Sequence, residues 1–341
     1  NWLAAIAQYN AWVATYSNSP GLPRAEFSRA WANYQAGNET NALSLFTNFV
    51  ARFQTNAYAT NDDLVASAQY WVADYYWRQE NFLDAELNYQ KVFLNWPDSK
   101  LIYEAYMMAG RAAMERSSLG PASSYFTNLT AFLSVSNSSC PRDLSLQALF
   151  ALGDANMALP ADSNPAKYKY AIDIFRKIAT GYTNSRFAPL AWGRLGDCYH
   201  ALATNDPAQF EAATNAYQKV VDSELADATT RSMAECGIAQ SLEGRARLDS
   251  PDRQGLWLGQ AVQHYLNVLL GTNLRDGEEA DFWYQQAGMA AGRLDEELGE
   301  WDKAVGIYKS LVDRLPPLQS ELEKKIAHAR AQQQKLALDS K

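Results

Sequence analysis

One spacing of residues recurs seven times along this chain of 341 residues: an alanine, an aromatic residue four positions later, and an apolar residue three positions after that. Residues four and seven positions apart share one face of an α-helix, so each copy predicts a helix with an apolar face. The seven triplets are Ala42/Phe46/Phe49, Ala85/Tyr89/Val92, Ala122/Phe126/Leu129, Ala171/Phe175/Ile178, Ala213/Tyr217/Val220, Ala261/Tyr265/Val268 and Ala304/Tyr308/Leu311. This repetition constrains the chain to stacked helical units.

A small residue recurs in the helical stretch before each triplet. The positions are Ala30, Ala73, Gly110, Gly153, Gly196, Gly237 and Gly292. We expect these small side chains to let two antiparallel helices approach closely, so that the aromatic residue of the triplet fills the groove between consecutive hairpins. Because no single hairpin can bury its own apolar face, the stability of the fold should come from stacking neighbours.

The fifth unit carries the most specific pattern. The run Trp192-x2-Leu195-Gly196-x2-Tyr199, followed by Ala213 and Tyr217, resembles the W-x2-L-G-x2-Y…A-x3-F signature of the tetratricopeptide repeat (TPR). The resemblance extends over seven units, from roughly residue 23 to 316. The run Pro97-Asp98-Ser99, which closes one second helix, is similar to TPR proteins of bacterial cell envelopes. The resemblance implies an all-α, right-handed α-solenoid with essentially no strand.

The predicted organisation has three parts. Residues 1–22 form an N-terminal half-repeat helix, and residues 317–341 form a C-terminal helix. Between them lie seven TPR-like hairpins at about 23–60, 62–99, 100–137, 142–185, 186–226, 228–274 and 278–316.

The two terminal helices are predicted to complement each other. Residues 1–16 are apolar around almost the whole helix, and Ala5, Tyr9 and Trp12 repeat the triplet spacing, which indicates a second helix without its first. Residues 318–336 read as a first helix without its second. Head-to-tail contact between copies of the chain would complete both and yield a filament, tube or ring. The candidate contact residues are Trp2, Ile6, Tyr9, Trp12, Val13, Tyr16, Leu322, Ile326, Ala329 and Leu336.

A second interpretation of the C-terminal helix remains open. Glu321, Lys324, Arg330 and their polar neighbours suit an ordinary solvated helix that ends a repeat array. The apolar N-terminal helix favours a covering partner, and another copy of the chain is the simplest one.

Composition and motifs give little sign of chemistry. The formal net charge of -8 argues against a nucleic-acid or anionic-membrane surface, and no apolar run is long enough to span a membrane. The sequence lacks nucleotide-binding, hydrolase-elbow and metal-ligand motifs, and we expect Cys198 and Cys236 to be small buried side chains. Two carboxylates on different helices leave no local motif, but the repeat favours a solenoid over a helical-barrel glycosidase. We therefore expect a protein that is not an enzyme and has no catalytic residue, cofactor or metal.

In the TPR family, first helices line the concave groove, and the resemblance implies a groove here too. It is expected to be aromatic and Met-rich in the first half of the chain and to suit an apolar peptide, a sugar face or another copy. Asp74 and Asp197 occupy places where the family's carboxylate clamp needs cationic or amide side chains, so we expect no such clamp. The groove candidates are Phe27, Trp31, Tyr34, Tyr70, Trp77, Met107, Met114, Phe150 and Met157.

These patterns predict a structural protein that acts through protein–protein contacts and associates with itself. A monomeric cell-envelope adaptor that binds a peptide or protein in its groove is the alternative. The first residue is Asn1, not Met, and the interhelical loops are rich in Thr-Asn pairs, so we expect an exported protein, extracellular or periplasmic, whose leader has been removed.

Overall fold

A computed structural model describes residues 1–56, 59, 63–134, 139–160, 166–279 and 281–339. Within these ranges the chain forms sixteen α-helices and no β-strand, which confirms the predicted all-α class. The predicted repeat limits at residues 60, 62 and 137 and the last residue, 341, lie outside the described residues. None of the helices in these ranges is both long enough and apolar enough to cross a membrane.

The chain divides into two compact units, residues 1–159 and 160–341. The first unit contains α1 (Trp2–Thr15), α2 (Leu22–Gln35), α3 (Glu39–Phe53), α4 (Leu64–Arg78), α5 (Phe82–Asn95), α6 (Ile102–Glu115), α7 (Leu119–Thr130) and α8 (Arg142–Ala158). The second contains α9 (Ala166–Gly181), α10 (Phe187–Ala203), α11 (Gln209–Val221), α12 (Ala228–Leu248), α13 (Pro251–Leu269), α14 (Asp281–Glu297), α15 (Trp301–Arg314) and α16 (Gln319–Asp339).

Within each unit every helix packs against the next one along the chain. Alternate helices also touch: α2 contacts α4, α6 contacts α8, α10 contacts α12, and α12 contacts α14. This is the arrangement of helical hairpins whose first helices lie side by side, as in a TPR array. The predicted fourth repeat, 142–185, spans both units, because α8 belongs to the first and α9 to the second. The right-handed superhelix stays a prediction.

The seven triplets form the buried face of α3, α5, α7, α9, α11, α13 and α15. Every residue in them is at most 4% exposed. Burial of one helix face explains why the spacing of four and three recurs, since a residue off that face would reach solvent instead. All three cysteines are buried, as expected for Cys198 and Cys236.

The small first-helix residues lie directly against the triplet aromatic rings. A Cβ atom added to Gly110 would be 2.4 Å from the Phe126 ring, and one added to Gly292 would be 2.3 Å from the Tyr308 ring. The Tyr217 ring meets Gly196 of its own hairpin and Gly237 of the next. This double contact shows how one aromatic residue joins consecutive hairpins, as the sequence predicted.

These contacts predict opposite effects for two substitutions in the second unit. Gly196→Ala would place Cβ 2.4 Å from the Tyr217 ring, and we expect overpacking to lower the free energy of unfolding by about 1–3 kcal/mol. Gly306→Ala, in α15, meets nothing within 4 Å and should raise it by about 0.5–1 kcal/mol, because alanine favours a helix. Urea unfolding followed by circular dichroism measures both. Equal effects of the two substitutions would contradict the close contact.

Candidate binding surfaces

The N-terminal helix α1 is covered on one side. The Asn1 side chain accepts a hydrogen bond from the Ala4 backbone N–H at 3.3 Å and so caps the helix start. α2 packs on the side that carries Trp12 and Val13, which are partly buried against the apolar cluster of the first unit. Ile6 and Tyr9 are also half-buried, as expected for a helix with one covering neighbour.

The rest of α1 is exposed and uncharged, with apolar and polar side chains. No residue of this helix is fully buried, and none is charged. Trp2 is 48% exposed, Leu3 69% and Tyr16 53%. These three large side chains are accessible to a partner. Of the predicted contact residues on α1, the structure therefore leaves Trp2 and Tyr16 most accessible.

The C-terminal candidates are placed differently from the prediction. Leu322, Ile326 and Ala329 are buried in the apolar cluster of the second unit, on the side of α16 that packs against α15. They are therefore corrected from contact residues between copies to core residues, because the preceding second helix of the same chain already covers them. Leu336 remains exposed.

An aromatic cluster lies on α2 and α4, which are the first helices of two successive hairpins. The Tyr34 ring is 5.5 Å from Trp31 and 5.3 Å from Trp71, measured between ring centroids. The Arg78 guanidinium lies 5.1 Å from the Tyr34 ring centroid and donates to the Tyr34 hydroxyl at 3.3 Å. Trp31 is 41% exposed and is the accessible member of this cluster. The predicted groove residues Trp31 and Tyr34 are thus brought together.

The other groove candidates contribute less accessible surface. Met107 is 3% exposed and belongs to the core of the first unit, so its assignment to the groove is corrected. The reason is that neighbouring residues of the core cover Met107, a position that the family pattern places in the open groove. The remaining candidates are half-buried: Phe27, Tyr70, Trp77, Met114, Phe150 and Met157. Phe27 packs edge-on against Phe46 and Phe49 of the core.

Hydrogen bonds from triplet tyrosines to first-helix carboxylates were not predicted from the sequence. The Tyr89 hydroxyl donates to Asp74 at 2.5 Å, and the Tyr217 hydroxyl donates to Asp197 at 2.7 Å. Burial and the adjacent carboxylate raise the pKa of both tyrosines, so both stay protonated donors. The sequence did hold a signal for these hydrogen bonds: the triplets carry tyrosine rather than phenylalanine, and a buried tyrosine hydroxyl needs a partner.

Two first-helix carboxylates of the second unit, Asp197 and Glu243, are paired with arginines. Asp197 lies 3.2 Å from Arg194. Glu243 accepts from the Tyr265 hydroxyl at 2.8 Å and from Arg293 at 2.6 Å. The charges of these carboxylates are therefore neutralised by arginines of the same unit, whereas the cluster on α2 and α4 is aromatic. In the described part of the chain no three His, Cys, Asp or Glu side chains are grouped to hold a metal ion.

Asp295 of α14 is a buried carboxyl group without full compensation. It is 2% exposed, and its Oδ2 atom has no hydrogen-bond partner. Burial raises the pKa of this carboxyl from 3.8 to about 6, while Lys303 opposes the shift and Glu300 adds to it. Above this pKa the folded protein holds an incompletely compensated buried charge.

No family model matches the sequence, and no curated protein matches it. Among solved structures, the TPR domain of P58(IPK) is similar over 98% of this chain and 94% of that chain, with 14% identity and a TM-score of 0.28. At this score the likeness carries no argument about the present chain. The fold is TPR-like. This conclusion rests on the packing of the helical hairpins.

The Asp295 carboxyl predicts a pH-dependent stability difference. Because its pKa is raised in the folded protein, its contribution is complete below pH 3.8 and is lost as the pH rises through about 6. Asp295→Asn should therefore raise the free energy of unfolding at pH 7.5 by up to about 3 kcal/mol, with the gain disappearing near pH 4. Urea titrations at both pH values measure it. A gain of the same size at both would show that the charge is not the cause.

Proposed function

We propose that this chain is a scaffold for protein–protein contacts and that it associates with further copies of itself through α1. A TPR-like array of helical hairpins is generally a non-enzymatic interaction scaffold, which gives the general part of the proposal. The self-association rests on one observation: α1 has no charged side chain and no fully buried residue, and Trp2, Leu3 and the following Tyr16 are exposed. Covering this helix would remove a large apolar area from water.

Head-to-tail assembly into a filament, tube or ring is one form that this association can take. It is supported by the sequence pattern of α16, which reads as a first helix without its second. Its contact would have to use the remaining sides of α16, because α15 covers the apolar one. Those sides carry Glu321, Lys324 and Arg330, whose burial beside an uncharged helix costs free energy.

A monomeric adaptor is the second candidate function. The observation that favours it is the exposed Trp31 beside Tyr34 and Arg78, which together offer an apolar ring and a cation on the first-helix side. Aromatic and arginine side chains are the residues that dominate protein interfaces. Such a surface would take a peptide or protein segment of the cell envelope, as the sequence resemblance implied.

Export of the protein is also part of the proposal. The Thr-Asn pairs in the loops between helices support it, at residues 55–56, 183–184, 204–205 and 272–273. Cell fractionation followed by immunoblotting tests this point: the protein should be found in the periplasm or the medium. Recovery with the cytosol would contradict export and would leave the self-association proposal intact.

Two matched substitutions test association through α1. Leu3 and Leu94 are both leucines and both 69% exposed, but Leu94 lies on α5. We expect Leu3→Glu to weaken self-association at least about tenfold, equivalent to 1.4 kcal/mol, because it places a charge in the contact. Leu94→Glu carries the same charge change and should leave association unaltered. Sedimentation equilibrium over a wide concentration range gives the dissociation constants.

The wild-type result decides the proposal itself. A protein that stays monomeric at every concentration would refute self-association and favour the adaptor.

For the adaptor, panning a random peptide library against the wild type and Trp31→Ala measures the role of the aromatic surface. We expect peptides enriched on the wild type to lose at least about tenfold in affinity for the variant. Equal affinities would exclude Trp31 from the binding surface.

A further inference from the structure

A pocket of about 300 Å³ lies in the second unit, between the start of α11 and the end of α12. Small-molecule sites in proteins span about 300–1,000 Å³, so this pocket suits a small ligand. Half of the residues that line it are apolar, and the other half carry a charge at neutral pH. The apolar residues are Pro207, Ala208 and Leu248, and the charged residues are Glu211, Arg245 and Asp249.

Packing between α11 and α12 positions the charged walls of this pocket. Phe210 of α11 is buried, and a Cβ atom added to Gly244 of α12 would lie 2.5 Å from its ring. Glu211 and Arg245 are the next residues along the two helices. The close contact of the preceding pair therefore fixes the backbone positions from which both charged side chains reach the pocket.

The Arg245 side chain is held against a tryptophan. Its guanidinium carbon lies 3.9 Å from the centroid of the Trp257 ring, a distance at which the ring attracts a cation. Trp257 Nε1 donates to Asp249 Oδ2 at 2.8 Å, which fixes the ring. Among the described residues Arg245 has no ion-pair partner and donates no side-chain hydrogen bond. Its guanidinium donors are therefore available to a ligand.

The two carboxylates of the pocket differ in their partners. Besides Trp257, Asp249 accepts from the Ser250 backbone N–H at 2.8 Å and lies 3.6 Å from Arg253 Nε. Glu211 is exposed, and no described residue pairs with its carboxylate. The pocket thus presents one unpaired cation, Arg245, and one unpaired anion, Glu211.

We propose that this pocket binds a small zwitterion, an α-amino acid with an apolar side chain. The ligand carboxylate pairs with Arg245, the ligand ammonium pairs with Glu211, and the apolar side chain packs on Leu248. A simple anion is repelled by Glu211 and a simple cation by Arg245, whereas a ligand that carries both charges compensates both walls. The site involves neither α1 nor the aromatic cluster of the first unit, so it adds a ligand to the proposed scaffold.

Three ligands with one side chain test the charge pattern. Isocaproate is leucine without its amino group, and isoamylamine is leucine without its carboxylate. In NMR saturation-transfer titrations we expect L-leucine to bind with a dissociation constant below about 1 mM and each analogue to bind at least about tenfold more weakly. Absence of L-leucine binding at about 10 mM would overturn the proposal. An analogue that binds as tightly as L-leucine would overturn it too, because one charge would then suffice.

Matched arginine substitutions on α12 locate the binding. Arg245→Gln and Arg247→Gln remove the same charge, but Arg247 is exposed, lies 3.7 Å from Glu243 and does not line the pocket. We expect Arg245→Gln to raise the dissociation constant of L-leucine at least about tenfold and Arg247→Gln to leave it unaltered. Equal effects of the two substitutions would place the binding elsewhere and overturn the proposal.

Glu211→Gln tests the other wall at an exposed side chain, where the fold does not depend on the carboxylate. It should weaken L-leucine binding at least about tenfold without weakening isocaproate binding, because only the ammonium loses its partner. Glu224→Gln makes the same change at an exposed position outside the pocket and should alter neither affinity. An equal loss for L-leucine and isocaproate would show that Glu211 does not bind the ammonium and would overturn the zwitterion site.

Discussion

The structure depends on the contact between a small residue of a first helix and the aromatic ring of a triplet. Where the first helix carries glycine, as at Gly196, the Tyr217 ring occupies the space that a side chain would need. The ring also reaches Gly237 of the next hairpin, so one residue closes its own hairpin and joins it to its neighbour. Since each hairpin is buried by the next, this contact extends along each unit and explains why the spacing recurs.

The polar contacts follow from the same geometry. A triplet aromatic ring that crosses to the first helix brings its para position close to that helix's side chains. In three of the tyrosine triplets the hydroxyl reaches a carboxylate: Tyr89 with Asp74, Tyr217 with Asp197 and Tyr265 with Glu243. These bonds hold the carboxylates in place on the first-helix side. The two units then differ in surface chemistry: aromatic near Trp31, and ion-paired around Glu243.

The two terminal helices show how a stacked fold treats its ends. α16 buries Leu322, Ile326 and Ala329 against α15 and presents charged residues elsewhere, so its free sides are compatible with water. α1 has the opposite character, because it is uncharged and leaves Trp2 and Leu3 exposed. Both helices lie at an end of the repeat array, but this similar position does not give them the same role in assembly. The contrast directs the search for a partner to α1.

The helical repeat, the buried triplets, the small contact positions and the uncharged character of α1 follow from the order of residues alone, because they depend on local spacing along a helix. Which neighbour covers each apolar face became visible only in the folded chain. The tertiary structure placed Met107 in the core, turned Leu322, Ile326 and Ala329 toward α15, and joined Tyr89 to Asp74. Spacing shows that a face is apolar, but not whether the same chain or another one buries it, since that depends on where the neighbouring helices lie.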